Sequence, residues 1–167
     1  MRYERTHDME LVRGIVTDPD IWPHIVDELG GKPQAWKAVD SPVITYLIVR
    51  NDEGAAGLFI FHPETSTTWV VHTCLPREFW GRRKDGQRTS VEAAKGAAIW
   101  IFSNTCCHRI TTSVPMSNRL ALKLAVESGM VTYGRNPKAW LKDGKLEDMI
   151  LLGISKPENE EASCQQP

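Results

Sequence analysis

The order of strand-like and helix-like segments predicts an α/β (α+β) fold: a central mixed, mostly antiparallel twisted sheet of about seven strands flanked by about four helices. Three observations carry this. Three apolar, β-branched runs follow one another across turns short enough to demand antiparallel pairing. A segment of helical period then separates two strands, which calls for a parallel, right-handed βαβ crossover. A second helix and two more strands complete the set.

Arg2 to His7 forms a first short strand, and Asp8 or Thr6 caps a helix that runs through Val16 with Leu11, Val12, Ile15 and Val16 as its apolar positions. Asp18-Pro19 ends it. Pro19 is placed to open a second helix, from Asp20 to Leu29, which turns Ile21, Trp22, Ile25 and Val26 inward and stops at Gly30-Gly31. Lys32 to Pro42 is a loop with a short turn around Trp36. The meander follows: Val43 to Val49, a turn at Asn51-Asp52-Glu53-Gly54, Ala55 to Phe61, a turn at Pro63 to Ser66, and Thr67 to Cys74.

Thr89 with Glu92 three places on is a capping-box signature and sets the start of the next helix, on which Val91, Ala94, Ala98, Ile99 and Phe102 form the inward stripe while Glu92 and Lys95 face water. Arg109 to Val114 is the strand after it. Ser117 caps a further helix that turns Leu120, Ala121, Leu124 and Ala125 inward and ends at Gly129. Met130 to Arg135 and Asp148 to Ile154 are the last strands, joined through Lys142-Asp143-Gly144-Lys145. The Asp148 to Ile154 strand, if at a sheet edge, offers a route to pairing with a second copy. Residues 1–156 make one domain, and 157–167 an acidic, mobile tail.

At 41% hydrophobic and 25% charged residues, the composition is that of an ordinary soluble domain. No run approaches a membrane span and the N-terminus has no signal-peptide core, so a cytoplasmic location is expected. Cys74, Cys106, Cys107 and Cys164 show no CxxC spacing and are expected to be reduced, with Cys74 an alternative nucleophile close to His72. His72 and Cys74 lack the further ligands of a zinc site, so no metal is expected.

The stretch between Cys74 and Thr89 carries the chemistry. Arg77, Arg82, Arg83, Lys84 and Arg88 stand against Glu78 and Asp85, a local charge of +3 on a chain of net charge −1. A basic, glycine-containing loop that feeds a helix N-terminus offers amides and a positive helix end to phosphate oxygens. Solvated arginines in an ordinary connection are the alternative. Nucleic acid is disfavoured, because the overall charge is slightly negative and only Phe79 and Trp80 interleave the patch.

The segment order, together with Asn118-Arg119-Leu120-Ala121-Leu122-Lys123-Leu124-Ala125-Val126-Glu127-Ser128-Gly129-Met130 preceded by Arg109 to Pro115, resembles the GNAT superfamily of acyl-CoA-dependent N-acyltransferases over roughly Arg2 to Ile154. The Thr6-His7-Asp8 helix start and Ile21-Trp22 also resemble GNAT-like proteins encoded by tailed bacteriophages. The resemblance implies acetyl-CoA as cofactor and an amine as acceptor. By it, Val70, Val71, His72 and Thr73 would offer backbone to the pantetheine arm. Arg82, Arg83, Lys84, Gly86, Gln87, Arg88 and Thr89 would wrap the pyrophosphate, and Asn118 would sit at the thiol end.

The chain departs from the family at several positions. Arg88 stands where the loop's last small residue belongs, and Glu92 puts a negative charge near the phosphates. Val70 and Val71 replace the glutamate often found on the fourth strand, and Ala125 replaces the tyrosine seven residues after the helix asparagine. Acyl transfer to an amine needs a base and an acid. His72 is the candidate base and Tyr133 the candidate acid. The alternative to an enzyme is a catalytically silent GNAT-like protein with a structural, head-assembly or regulatory role, in which a phage protein would be the partner.

Overall fold

The computed structural model describes residues 1–81, 86 and 88–158. β1 (Arg2–Thr6), α1 (Met9–Val16), α2 (Trp22–Ile25), β2 (Thr45–Arg50), β3 (Ala56–Pro63), β4 (Thr68–Cys74), α3 (Thr89–Asn104), β5 (Arg109–Pro115), α4 (Arg119–Glu127), β6 (Val131–Lys142) and β7 (Lys145–Ser155) follow in chain order. The sheet has seven strands in the order β1-β2-β3-β4-β5-β7-β6. Every neighbouring pair is antiparallel except β4 and β5, which are parallel across α3.

The meander arises as expected, because Asn51 closes its first turn by taking the amides of Glu53 and Ala55 on its side chain. On one face of the sheet, Leu47, Val49, Phe59, Phe61, Val71 and Ile110 pack against α3 and α4 through Ala93, Ala97, Ile101, Phe102 and Leu124. On the other, Tyr46, Ile48, Leu58 and Cys74 meet Val12, Val16, Ile21 and Trp22 from α1 and α2. Alternation along each strand separates the two layers. Tyr3 threads β1 onto α3, where its hydroxyl donates to the carbonyls of Glu92 and Ala93 at 3.3 Å each, over the space left by Gly96.

Several expectations are corrected. α1 is capped by Asp8, whose carboxylate takes the Leu11 amide at 3.0 Å. The helix expected from Asp20 to Leu29 is a single turn, Trp22–Ile25, with Pro23 in its first turn. Val26 is extended, and Asp27 caps a separate 3₁₀ turn, Glu28–Gly30. A proline at 23 cannot accept a preceding helical turn, which forces the later start. In α3 the first helical residue is Thr89, as expected for the start, but the N-cap is Arg88 without a side-chain cap bond, so Thr89 does not cap the helix in a box with Glu92. Its buried face is Ser90, Ala93, Ala97, Ile101 and Phe102, while Ile99 is 62% exposed. For α4 the cap is Asn118, not Ser117, through the Ala121 amide at 3.1 Å. Leu120 stays exposed. Gly129, at φ 99°, ends α4 with paired bonds from Gly129 to Val126 and from Met130 to Ala125.

The last two strands are also longer than expected. Asp143 and Gly144 both adopt positive φ, a two-residue turn that lets the hairpin extend. Pro137 is tolerated because β6, not β7, is the edge strand, and because the Asp148 side chain takes the Lys138 amide at 2.9 Å and pairs with Arg135 where the register shifts. β7 lies between β5 and β6, so it has no free edge for a second copy. Of the expected tail at 157–167, residues 159–167 lie outside the described residues.

Candidate functional site

The parallel seam is short. β4 and β5 are registered only at Thr68↔Arg109, Trp69↔Ile110 and Val70↔Thr111. Yet β4 stays paired to β3 as far as Leu58↔Cys74, and β5 to β7 as far as Pro115↔Met149. Each half-sheet therefore runs on while the seam between them opens into a wedge. Two threonines mark its apex, where Thr111 Oγ1 donates to the Trp69 carbonyl at 3.4 Å and Thr112 Oγ1 to the Val71 carbonyl at 3.1 Å. The alternation that aims those carbonyls at β5 aims the Thr73 backbone the same way, now across open space.

A cavity of about 720 Å³ passes through this wedge. On the α3/α4 side its walls include Ala94, Ala98, Ala121 and Ala125, whose small side chains leave room between the helices. On the α1/α2 side they include Ile21, His24, Ile25, His72, Trp140 and Met149. The expected α3 stripe of Ala94 and Ala98 is thus a cavity wall. A second run of small residues in α4 was the sequence signal for it.

His72 lines the cavity, on the same sheet face as Cys74. Its Nε2 lies 3.2 Å from Nε2 of His62, and the two rings stack at 5.3 Å. Although the ring is open to the cavity, surrounding protein and then the His62 ring hold its pKa below the usual 6.5. His62 escaped the sequence reading because only the β3–β4 register brings the two histidines together, diagonally across strands.

Cys74 is 1% exposed and burial pushes its thiol up to about 12, which removes it as a nucleophile. Tyr133 lies on β6 beside a register shift, half-exposed, with the Arg109 guanidinium 5.0 Å from its ring. It does not line the cavity that holds His72. Asn118 does, while its side-chain oxygen caps α4.

Of the expected phosphate loop, Arg82, Arg83, Lys84 and Gln87 lie outside the described residues. Gly86 is exposed at φ 81°, a conformation that favours glycine. Arg88 is turned to α4, its Nε 3.6 Å from Glu127. The Thr89 amide donates to the Gly81 carbonyl at 3.2 Å. Val70 and Val71 sit at and just past the last parallel pair. Among the described residues there is no cluster able to hold a metal ion, and no helix is long and apolar enough to cross a membrane.

Solved acetyltransferases share this fold of a seven-stranded open sheet and four helices. A spermidine N-acetyltransferase from Vibrio cholerae, in complex with CoA and spermine, superposes with a TM-score of 0.70 at 14% identity, covering 92% of this chain and 94% of that one. A candidate phosphinothricin N-acetyltransferase gives 0.70 at 18%, covering 94% and 99%. A GNAT-family acetyltransferase from Bacillus anthracis gives 0.54 at 18%, over 68% and 66%.

The chain has the GNAT fold. No protein-family model and no curated protein matches the sequence. The likeness to phage-encoded proteins is not supported by these comparisons.

Proposed function

We propose that the protein is a cytoplasmic N-acetyltransferase that binds acetyl-CoA and moves its acetyl group to an amine. The carrying observation is the wedge between β4 and β5, continued through the sheet by the cavity. It would admit a slender arm from the α3/α4 face and an amine from the α1/α2 face. The alanine walls and the outward-turned Thr73 backbone fit such an arm, with Val70 and Val71 at the apex. Gly86, Arg88 and Thr89 at the start of α3 would meet the phosphates once Arg88 leaves Glu127 and the Thr89 amide leaves the Gly81 carbonyl, and Arg82, Arg83, Lys84 and Gln87 would complete that cradle. With its oxygen on the Ala121 amide, Asn118 would turn its amide nitrogen to the reacting end.

Acetyl-CoA supplies an activated acetyl thioester. His72 would strip the proton from the incoming ammonium group, since its lowered pKa keeps the imidazole neutral at pH 7. His62, in contact with it, would relay that proton toward solvent. Tyr133, held on β6, has no part in this reading.

Calorimetry with coenzyme A and thiol release with a panel of amines test the proposal. Binding and turnover are expected, and no heat at millimolar ligand would overturn it. A second reading, a silent GNAT-fold protein with a structural or regulatory role, is favoured by Val70, Val71 and Ala125 where the family carries glutamate and tyrosine. Binding of coenzyme A without turnover of any amine would select that one.

A further inference from the structure

The charge on the cavity wall says what kind of amine belongs there. Among the described lining residues, Asp20 is the only carboxylate. Both of its oxygens are held by Arg77, Oδ2 by Nε at 2.9 Å and Oδ1 by the second guanidinium nitrogen, also at 2.9 Å. Arg77 lines the same cavity, so this pair contributes no net charge. A linear polyamine carries several ammonium groups, and each one drawn out of water requires a carboxylate or a ring of acceptors. Among the described residues this wall offers no carboxylate beyond Asp20. What it does offer is apolar surface from Ile21, Ile25, Trp140 and Met149.

The tip of the β6–β7 hairpin holds Trp140 in place. Lys142 Nζ donates to the Pro23 carbonyl, and the Gly144 amide donates to Glu28 Oε1 at 2.5 Å, which ties the strand carrying Trp140 to the α2 segment carrying Ile21 and Ile25.

Resting on the acetyltransferase reading, we infer that the acceptor is a monoamine with an apolar, aromatic or aliphatic body, and not a polyamine. Its body lies between Trp140 and Ile25, and its single amino group reaches the apex beside His72. There the new C–N bond forms as the thioester C–S bond breaks. The first ammonium proton passes to neutral His72, and the second, shed by the nitrogen as the amide forms, is carried by water to the departing thiolate.

The test compares 2-phenylethylamine with spermidine, using the full chain, acetyl-CoA and detection of the released thiol. A kcat/KM at least tenfold higher for 2-phenylethylamine is expected. Trp140→Ala should then raise the KM for that amine about tenfold with coenzyme A binding unchanged by calorimetry. Because Trp140 is half-buried, direct calorimetric binding of both amines to the wild-type complex with coenzyme A gives a second readout, in which the monoamine should bind and spermidine should not. Equal or greater activity with spermidine overturns the inference. So does coenzyme A binding with no turnover of any monoamine, which leaves the donor site standing. A failure to bind coenzyme A overturns both this inference and the reading on which it rests.

Discussion

His72 combines a position at the wedge with a neutral imidazole, and the two properties have one cause. The ring is crowded by the sheet and by His62, so protonation is disfavoured in the folded chain. Its conjugate-acid pKa lies below 6.5, and the acid limb of kcat/KM should therefore fall below pH 6.5. His72→Ala should lower kcat/KM roughly a hundred- to ten-thousandfold and erase that limb, without changing coenzyme A affinity. The sign for stability follows from the same shift. Below about pH 6.5 the unfolded chain binds a proton that the folded chain refuses, so stability falls as pH drops through that window. Cys74 gives the contrasting case, a group silenced by burial. Under native conditions it should resist iodoacetamide, whereas unfolding in urea should expose it to alkylation, as mass spectrometry would show.

At the scale of elements, α3 shows what periodicity can and cannot decide. Its existence was legible, since fifteen residues of apolar period after a polar start have few alternatives. Its orientation was not, because alanine is admissible on every face and a stripe of Ala94 and Ala98 scores like one of Ala93 and Ala97. The tie is broken by Tyr3, which lies against α3 where a Cβ at Gly96 would run into its hydroxyl. Gly96→Ala would ordinarily favour a helix. Here it should destabilise the protein by about 1–3 kcal/mol, measured as a lower urea midpoint at unchanged slope, because the added methyl would occupy the space of the Tyr3 ring and displace its hydroxyl from the Glu92 and Ala93 carbonyls. α2 makes the complementary point. Ile21, Trp22, Ile25 and Val26 keep helical spacing, but Pro23 and the extended Val26 cut the segment to one turn, and burial of Trp22 at 7% exposure holds it.

For the molecule as a whole, the sheet is two half-sheets joined at three register pairs and by the Thr111 and Thr112 hydroxyls at the apex, with α3 and α4 packed across them. A ligand that fills the wedge would bridge the halves. Coenzyme A at a hundred times its dissociation constant should accordingly stabilise the fold by about 2.7 kcal/mol, read as a rise in Tm that tracks the logarithm of its concentration. The same arrangement explains why the acceptor surface is composite. Residues from α2, β4 and the β6–β7 hairpin meet there, and they come from both ends of the chain.

By itself the sequence determined the number of strands and helices, the antiparallel meander, the parallel crossover through α3 and the histidine on β4. These follow from local periodicity, turn chemistry and connection length, which neighbouring residues settle among themselves. Only the tertiary structure decided where the seam parts, which alanines line the opening, that His62 stacks on His72, and that Arg77 neutralises Asp20. Each of those depends on the register and packing of segments far apart in the chain, and no local pattern encodes them.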